Sequence, residues 1–269
     1  MKRKWISRNI LFVLTLIVSI FVLPVVVLAN HSWGSYHWGR ISNPFTLKLG
    51  DNLSSSWDSH LATTSSDWSQ SSVLDTAIVA GNTNPRRCKP TSGQVQVCNS
   101  AYGNNGWLGI AQIWVSGNHI TQGNTKVNDT YFATAKYNTP AWKNLVMCQE
   151  VGHTLGLNHQ DENFGNTNLG TCMDYTNDPG TNQHPNVHDY EMLESIYAHL
   201  DTTSTVSQSL SHGLGETVRG MVGNPGTDEN PGENPSDWGI KINDNGNVGL
   251  YVRELSGGRK LFTFVIWAK

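Results

Sequence analysis

The chain has 269 residues, enough for one sizeable domain and a smaller appendage. Eighteen Lys and Arg against 21 Asp and Glu leave a formal net charge of -3, and basic residues cluster only at the N-terminus, so nothing electrostatic favours nucleic acid as a partner. Only 14% of residues are charged, and Gly, Asn, Ser and Thr supply the polarity, a composition suited to a loop-rich extracellular protein.

Residues 1–29 read as a signal peptide. Lys2, Arg3, Lys4 and Arg8 make a basic start, residues 10–28 are almost continuously apolar, and Val27 and Ala29 set small residues before a cleavage after Ala29. Retained, the same run would be an N-terminal membrane anchor facing outside, although Pro24 interrupts it. Secretion is the expectation, and membrane contact follows only if the segment stays. Cys88, Cys98, Cys148 and Cys172 fit an oxidising compartment. Cys88 with Cys98 closes most easily, across a short polar stretch, which leaves Cys148 with Cys172; spacing alone permits three pairings.

In chain order, residues 31–41 form an aromatic N-terminal segment in which Trp33, Tyr36 and Trp38 pack against the domain. Residues 45–49 alternate as a half-buried strand, residues 54–70 space Trp57, Leu61 and Trp68 as a helix, and residues 73–79 make a second strand. Residues 107–115 form a third strand, followed by a polar turn around Gly117 and Gly123. Thr139 and Pro140 start a helix as N-cap and first helical residue, and Gly156 ends it. A last helix begins near Asn186 and Asp189 and runs to Leu200. Residues 30–203 thus form one α+β domain. Residues 204–238, with Pro225, Pro231 and Pro235, have linker composition, and residues 239–269 are a short C-terminal β-hairpin with strands at 249–254 and 260–267.

The run from Gln149 to His159 carries the chemistry. Positions 149 and 153 lie four apart on one helix face. Glu150 beside them can reach a water without being a ligand, and Gly156 lets the chain turn so that His159 returns toward the same point. Such a set suits a hydrolytic zinc site with an open position.

With the downstream run Gly170-Thr171-Cys172-Met173-Asp174-Tyr175, residues 33–200 resemble the metzincin metalloproteases, matrixin-like branch. Their motif is His-Glu-x-x-His-x-x-Gly-x-x-His followed by a methionine-containing turn. The resemblance implies a twisted mixed sheet with an active-site helix, a Met-turn and a C-terminal helix, zinc as cofactor, and a protein or peptide substrate for a monomeric endopeptidase. It implies His153 and His159 as ligands, Glu150 as general base, Met173 beneath the metal and Tyr175 as a transition-state helper. An extended peptide is expected to pair with an edge strand at 107–115.

Gln149 departs from the family pattern, standing where its first histidine would be. Either its amide oxygen ligates, or Asp161 or His184 replaces it, or the site is degenerate and the protein is a secreted binding protein. The cysteine-bearing inhibitory propeptide common in the family is not expected, since no free cysteine precedes the domain. His119 lies in the turn region, but the family's second-zinc spacing is not matched. His184 and His188 read as surface or capping groups.

Overall fold

The computed structural model describes residues 31–207, 231–244 and 248–269. The signal peptide at 1–29 and most of the linker, residues 208–230, lie outside the described residues. No helix among the described residues is long and apolar enough to cross a membrane.

The fold is mixed α/β: one large mixed sheet and few helices. Strands β1 (His37–Trp38), β2 (Phe45–Asn52), β3 (Leu74–Ala80), β4 (Gln94–Ser100), β5 (Trp107–Ser116) and β6 (His119–Asn128) come first, then β7 (Ile240–Asp244), β8 (Val248–Glu254) and β9 (Arg259–Trp267). The helices are α1 (Asp58–Trp68), α2 (Asp129–Phe132), α3 (Pro140–Thr154) and α4 (Val187–Ile196). The sheet runs β3-β2-β4-β6-β5-β9-β8-β7, with β1 beside the start of β6. The strands β3, β2, β4 and β6 are mutually parallel, and from β6 onward every pairing is antiparallel.

Two expectations are corrected. The third strand is not an edge: β5 pairs with β6 on one side and with β9 on the other. The C-terminal segment is not a hairpin apart but three strands added to the main sheet, and the described ends of the supposed linker are anchored. Ser207 donates its amide to Gly93 and Thr205 to Gly39, while Trp238 is fully buried among Trp107, Ile110 and Tyr251.

The polar turn at 117–123 is instead a tight turn into the ten-residue strand β6, and β4 also went unread. Both bury polar residues, among them Gln96, Asn124, Thr125, Lys126 and Asn128. Asn124 is satisfied by donating to the Cys88 carbonyl at 2.7 Å, and Asn128 to the carbonyls of Gly103 and Trp107. The disulfide Cys88–Cys98 closes this corner, and Cys148–Cys172 ties α3 to the downstream loop.

Lys126 is almost wholly enclosed, its ammonium 5.7 Å from the centre of the Tyr102 ring. Burial pushes its pKa down to about 8, with Glu233 opposing. The drop from 10.5 is equivalent to about 3 kcal/mol against folding at neutral pH. The folded state gives up its proton near 8 while the unfolded chain keeps it to about 10.5, so this penalty is complete below 8 and vanishes above 10.5. Lys126→Met should therefore stabilise the protein by about 1–3 kcal/mol in urea titrations at pH 7. That advantage should shrink as pH rises from 8 to 10.5; an advantage that stays flat would mean the lysine is not strained by burial.

Candidate active site

Helix α3 starts as its sequence dictates: the Thr139 hydroxyl accepts from the Trp142 amide and Pro140 occupies the first turn. From Leu145 to Thr154 every residue is buried, which places Gln149, Glu150 and His153 inside the protein. Two glycines permit the close packing. A side chain at Gly109 on β5 would come within 2.7 Å of Glu150 Oε1, and one at Gly152 within 2.6 Å of the Met173 sulfur. Gly109 therefore lets the carboxyl approach the sheet, and Gly152 lets the methionine turn lie against the helix, where the Cys148–Cys172 disulfide also holds it.

Just past the end of the helix the chain reverses at Gly156, whose φ of +100° is open to glycine and strained for other residues. A Cβ there would also stand 2.7 Å from the Tyr36 carbonyl. This reversal brings His159 back to His153, their ring centroids 4.5 Å apart and nearly perpendicular. His153 donates Nδ1–H to the Leu157 carbonyl at 2.9 Å, which leaves Nε2 as a lone-pair donor, the tautomer a metal requires. The Tyr175 hydroxyl lies 2.8 Å from His159 Nε2, and His159 Nδ1 lies 3.4 Å from a Glu162 oxygen.

The structure thus gathers Gln149, Glu150, His153, His159, Met173 and Tyr175 at one end of α3. Asp161 and His184 do not join as third ligand. Asp161 is engaged by the Asn163 amide and the Asn166 side chain, and His184 sits exposed against Asp67 at 2.7 Å. Burial pushes the Glu150 pKa well up, which favours the protonated carboxyl in this enclosure. Burial first, then the neighbouring His159, pushes His153 well down; burial also lowers His159 and raises Tyr175. Both imidazoles are accordingly neutral, as metal ligands must be.

Whether these residues fit a zinc ion can be judged from their unmet bonding. Both amide atoms of fully buried Gln149 and one oxygen of Glu150 have no partner. An unpaired buried polar group costs about 1–3 kcal/mol, so these atoms call for a partner, of which a bound water or ion is one kind. Two neutral imidazoles and an amide oxygen suit a cation, on the condition that the Tyr175 hydroxyl yields the His159 lone pair it now shares.

The C-terminal strand covers this site, a relation invisible in sequence. Phe264 of β9 lies flat on the His153 ring, with centroids 4.4 Å apart and planes 10° from parallel. Trp33 packs edge-on against both Phe262 and Phe264, and Asn243 of β7 donates to Glu162. The sequence also gave no prominence to a second group, His37, His199 and Asp201, whose donor atoms lie within 4.8 Å of one another and could hold a metal. The close spacing of His199 and Asp201 just past a helix was the available signal.

No family model matches the chain, and no curated protein matches it. Among solved structures it is similar to a crystal structure of myroilysin, at 12% identity and a TM-score of 0.33, over 66% of this chain and 98% of that one. A likeness that slight assigns no family.

Proposed function

We propose that the protein is an exported zinc-dependent endopeptidase, held closed in this structure by its own C-terminal strand. The observation that carries the reading is the convergence of His153, His159 and the unpartnered Gln149 amide beside the unpartnered Glu150 oxygen, over Met173. The sequence motif and the local geometry point the same way.

His153, His159 and the Gln149 amide oxygen would hold the ion. Zinc bound there supplies Lewis-acid polarisation of a water and of the scissile carbonyl. Glu150, ionised once water enters, takes the proton of the attacking water and returns it to the leaving amine. Tyr175, released from His159, donates its hydroxyl to the developing oxyanion. The substrate chain would lie extended along β5, as peptides do when they add to a sheet. In the closed form β9 takes that seat, with Phe264 opposite Ala111 and Thr263 opposite Gln112.

Gln149 alone favours a second reading, a binding protein that has lost its metal, because zinc prefers imidazole to an amide oxygen. Elemental analysis separates the two. Native protein should lose one equivalent of zinc on His153→Ala, and Gln149→His should tighten that zinc on the order of tenfold or more. Zinc content unchanged by His153→Ala, with zinc gained only in Gln149→His, would leave the binding-protein reading in place.

A further inference from the structure

The second histidine group shares no residue with the site on α3. Strand β1 runs parallel to the start of β6, with His37 opposite His119. The chain leaving α4 then returns alongside: the Asp201 amide donates to the Arg40 carbonyl, and Asp201 Oδ2 accepts from the Arg40 amide at 3.1 Å and its guanidinium at 2.8 Å. This fixes the other oxygen, Oδ1, toward three rings. Its distances to the Nε2 atoms of His119, His37 and His199 are 3.1, 3.4 and 3.6 Å.

Hydrogen bonding alone leaves one contact of this arrangement unmet. The His37 Nδ1 atom is 2.7 Å from the Ser35 carbonyl, which can only accept, so Nδ1 carries the proton. In a neutral ring Nε2 is then a bare lone pair, yet it faces the Asp201 oxygen at 3.4 Å and the His199 Nε2 at 3.2 Å. The His199 ring can meet one of these contacts by donating its Nε2–H, but His37 Nε2 and Asp201 Oδ1 still face each other as two acceptors, a pair that a cation between them would satisfy. In a tetrahedral zinc shell, with bonds of about 2.0–2.1 Å, neighbouring donors stand about 3.3 Å apart, close to the separations seen among these three. The carbonyl on the far ring nitrogen is also the partner that metal-bound histidines ordinarily have.

We infer that His37, His199 and Asp201 form a divalent-cation site of the zinc type, with His119 hydrogen-bonded to the ligating carboxylate. The group is reachable from solvent: the His199 and His119 side chains are 56% and 34% exposed, whereas those of His37 and Asp201 are 6% and 9% exposed. The ion joins the N-terminal segment to the chain beyond α4, across 162 residues of sequence between His37 and His199, and so acts as a latch on the domain's two flanks rather than in the chemistry.

The test uses the full chain, stripped with chelator and titrated with zinc chloride, with stoichiometry read by calorimetry and melting temperature by circular dichroism. His199→Ala is the decisive variant, because its exposed ring can be lost without unfolding the domain. It should remove one zinc per chain, weaken that binding at least on the order of a hundredfold, and abolish the associated rise in melting temperature; His119→Ala should weaken it about tenfold. The site on α3 is reported separately by His153→Ala, so failure of one site is distinguishable from failure of the other. Zinc stoichiometry and the zinc-dependent melting shift unchanged in His199→Ala would overturn the inference, and would mean that hydrogen bonds alone hold these side chains together.

Discussion

Replacing Phe264 with alanine is expected to raise zinc-supported peptide cleavage by about two orders of magnitude over the native chain. In the closed form its ring is almost fully buried and stacked on His153; with β9 displaced it faces water whatever its neighbours. Truncating a buried phenylalanine removes about 3–5 kcal/mol, and nearly all of that loss falls on the closed form alone. At 1.4 kcal/mol per factor of ten, the open fraction rises at least a hundredfold while it remains the minor state. A quenched fluorescent peptide library reads the gain, and a synthetic peptide of residues 259–267 added in trans should reverse it. A folded, zinc-loaded Phe264→Ala protein with no gain would sink the proposal that β9 blocks the site. Near-UV circular dichroism guards against reading a collapsed variant as an inactive one.

In that opened background, Glu150→Gln should lower cleavage by about 10²–10⁴-fold, the usual contribution of a general base, with zinc content unchanged. Glutamine has the shape of the carboxyl and removes only its proton chemistry. Equal rates in the two proteins would rule out the base. The same pair reports on closure. Burial raises the Glu150 pKa well above its ordinary 4.5, so closure favours the protonated carboxyl and opening its release. The sign follows: this contribution to closure is complete below about 4.5 and is lost as pH rises through the raised value. Opening is thus favoured by rising pH in the native chain, and the Glu150→Gln chain lacks that component.

Much of α3 was legible because its signals are local. The Thr139-Pro140 start, the four-residue spacing of Gln149 and His153, and Gly156 at the reversal need no knowledge of the rest of the fold. The Asn186 cap was legible for the same reason, and its reciprocal bond with Asp189 is present. Strands β4 and β6 were not legible, because alternation is a hydrophobic signal and their inward positions include Gln96, Asn124 and Lys126. Their burial is tolerable only through partners far away in sequence, such as the Cys88 carbonyl for Asn124. The strand at 260–267 was recognisable from its apolar run, but its neighbour was not. A strand's composition says that it pairs, and nothing in it says with whom, so the covering of the site appeared only in three dimensions. The histidine group is hidden for the same reason: His37 and His119 meet through β1 and β6, and the start of β6 has the composition of a polar turn.

The two disulfides join Cys88 to Cys98 and Cys148 to Cys172, so no covalent bond other than the backbone between Ser207 and Pro231 links β7–β9 to the rest of the protein. While that backbone is whole, the blocking strand is tethered, and its effective concentration at β5 is on the order of millimolar whatever the amount of protein. A single cut within residues 208–230 would leave the contacts among the described residues in place and change the molecularity. Closure would become a meeting of two chains, tight at high protein concentration and undone by dilution.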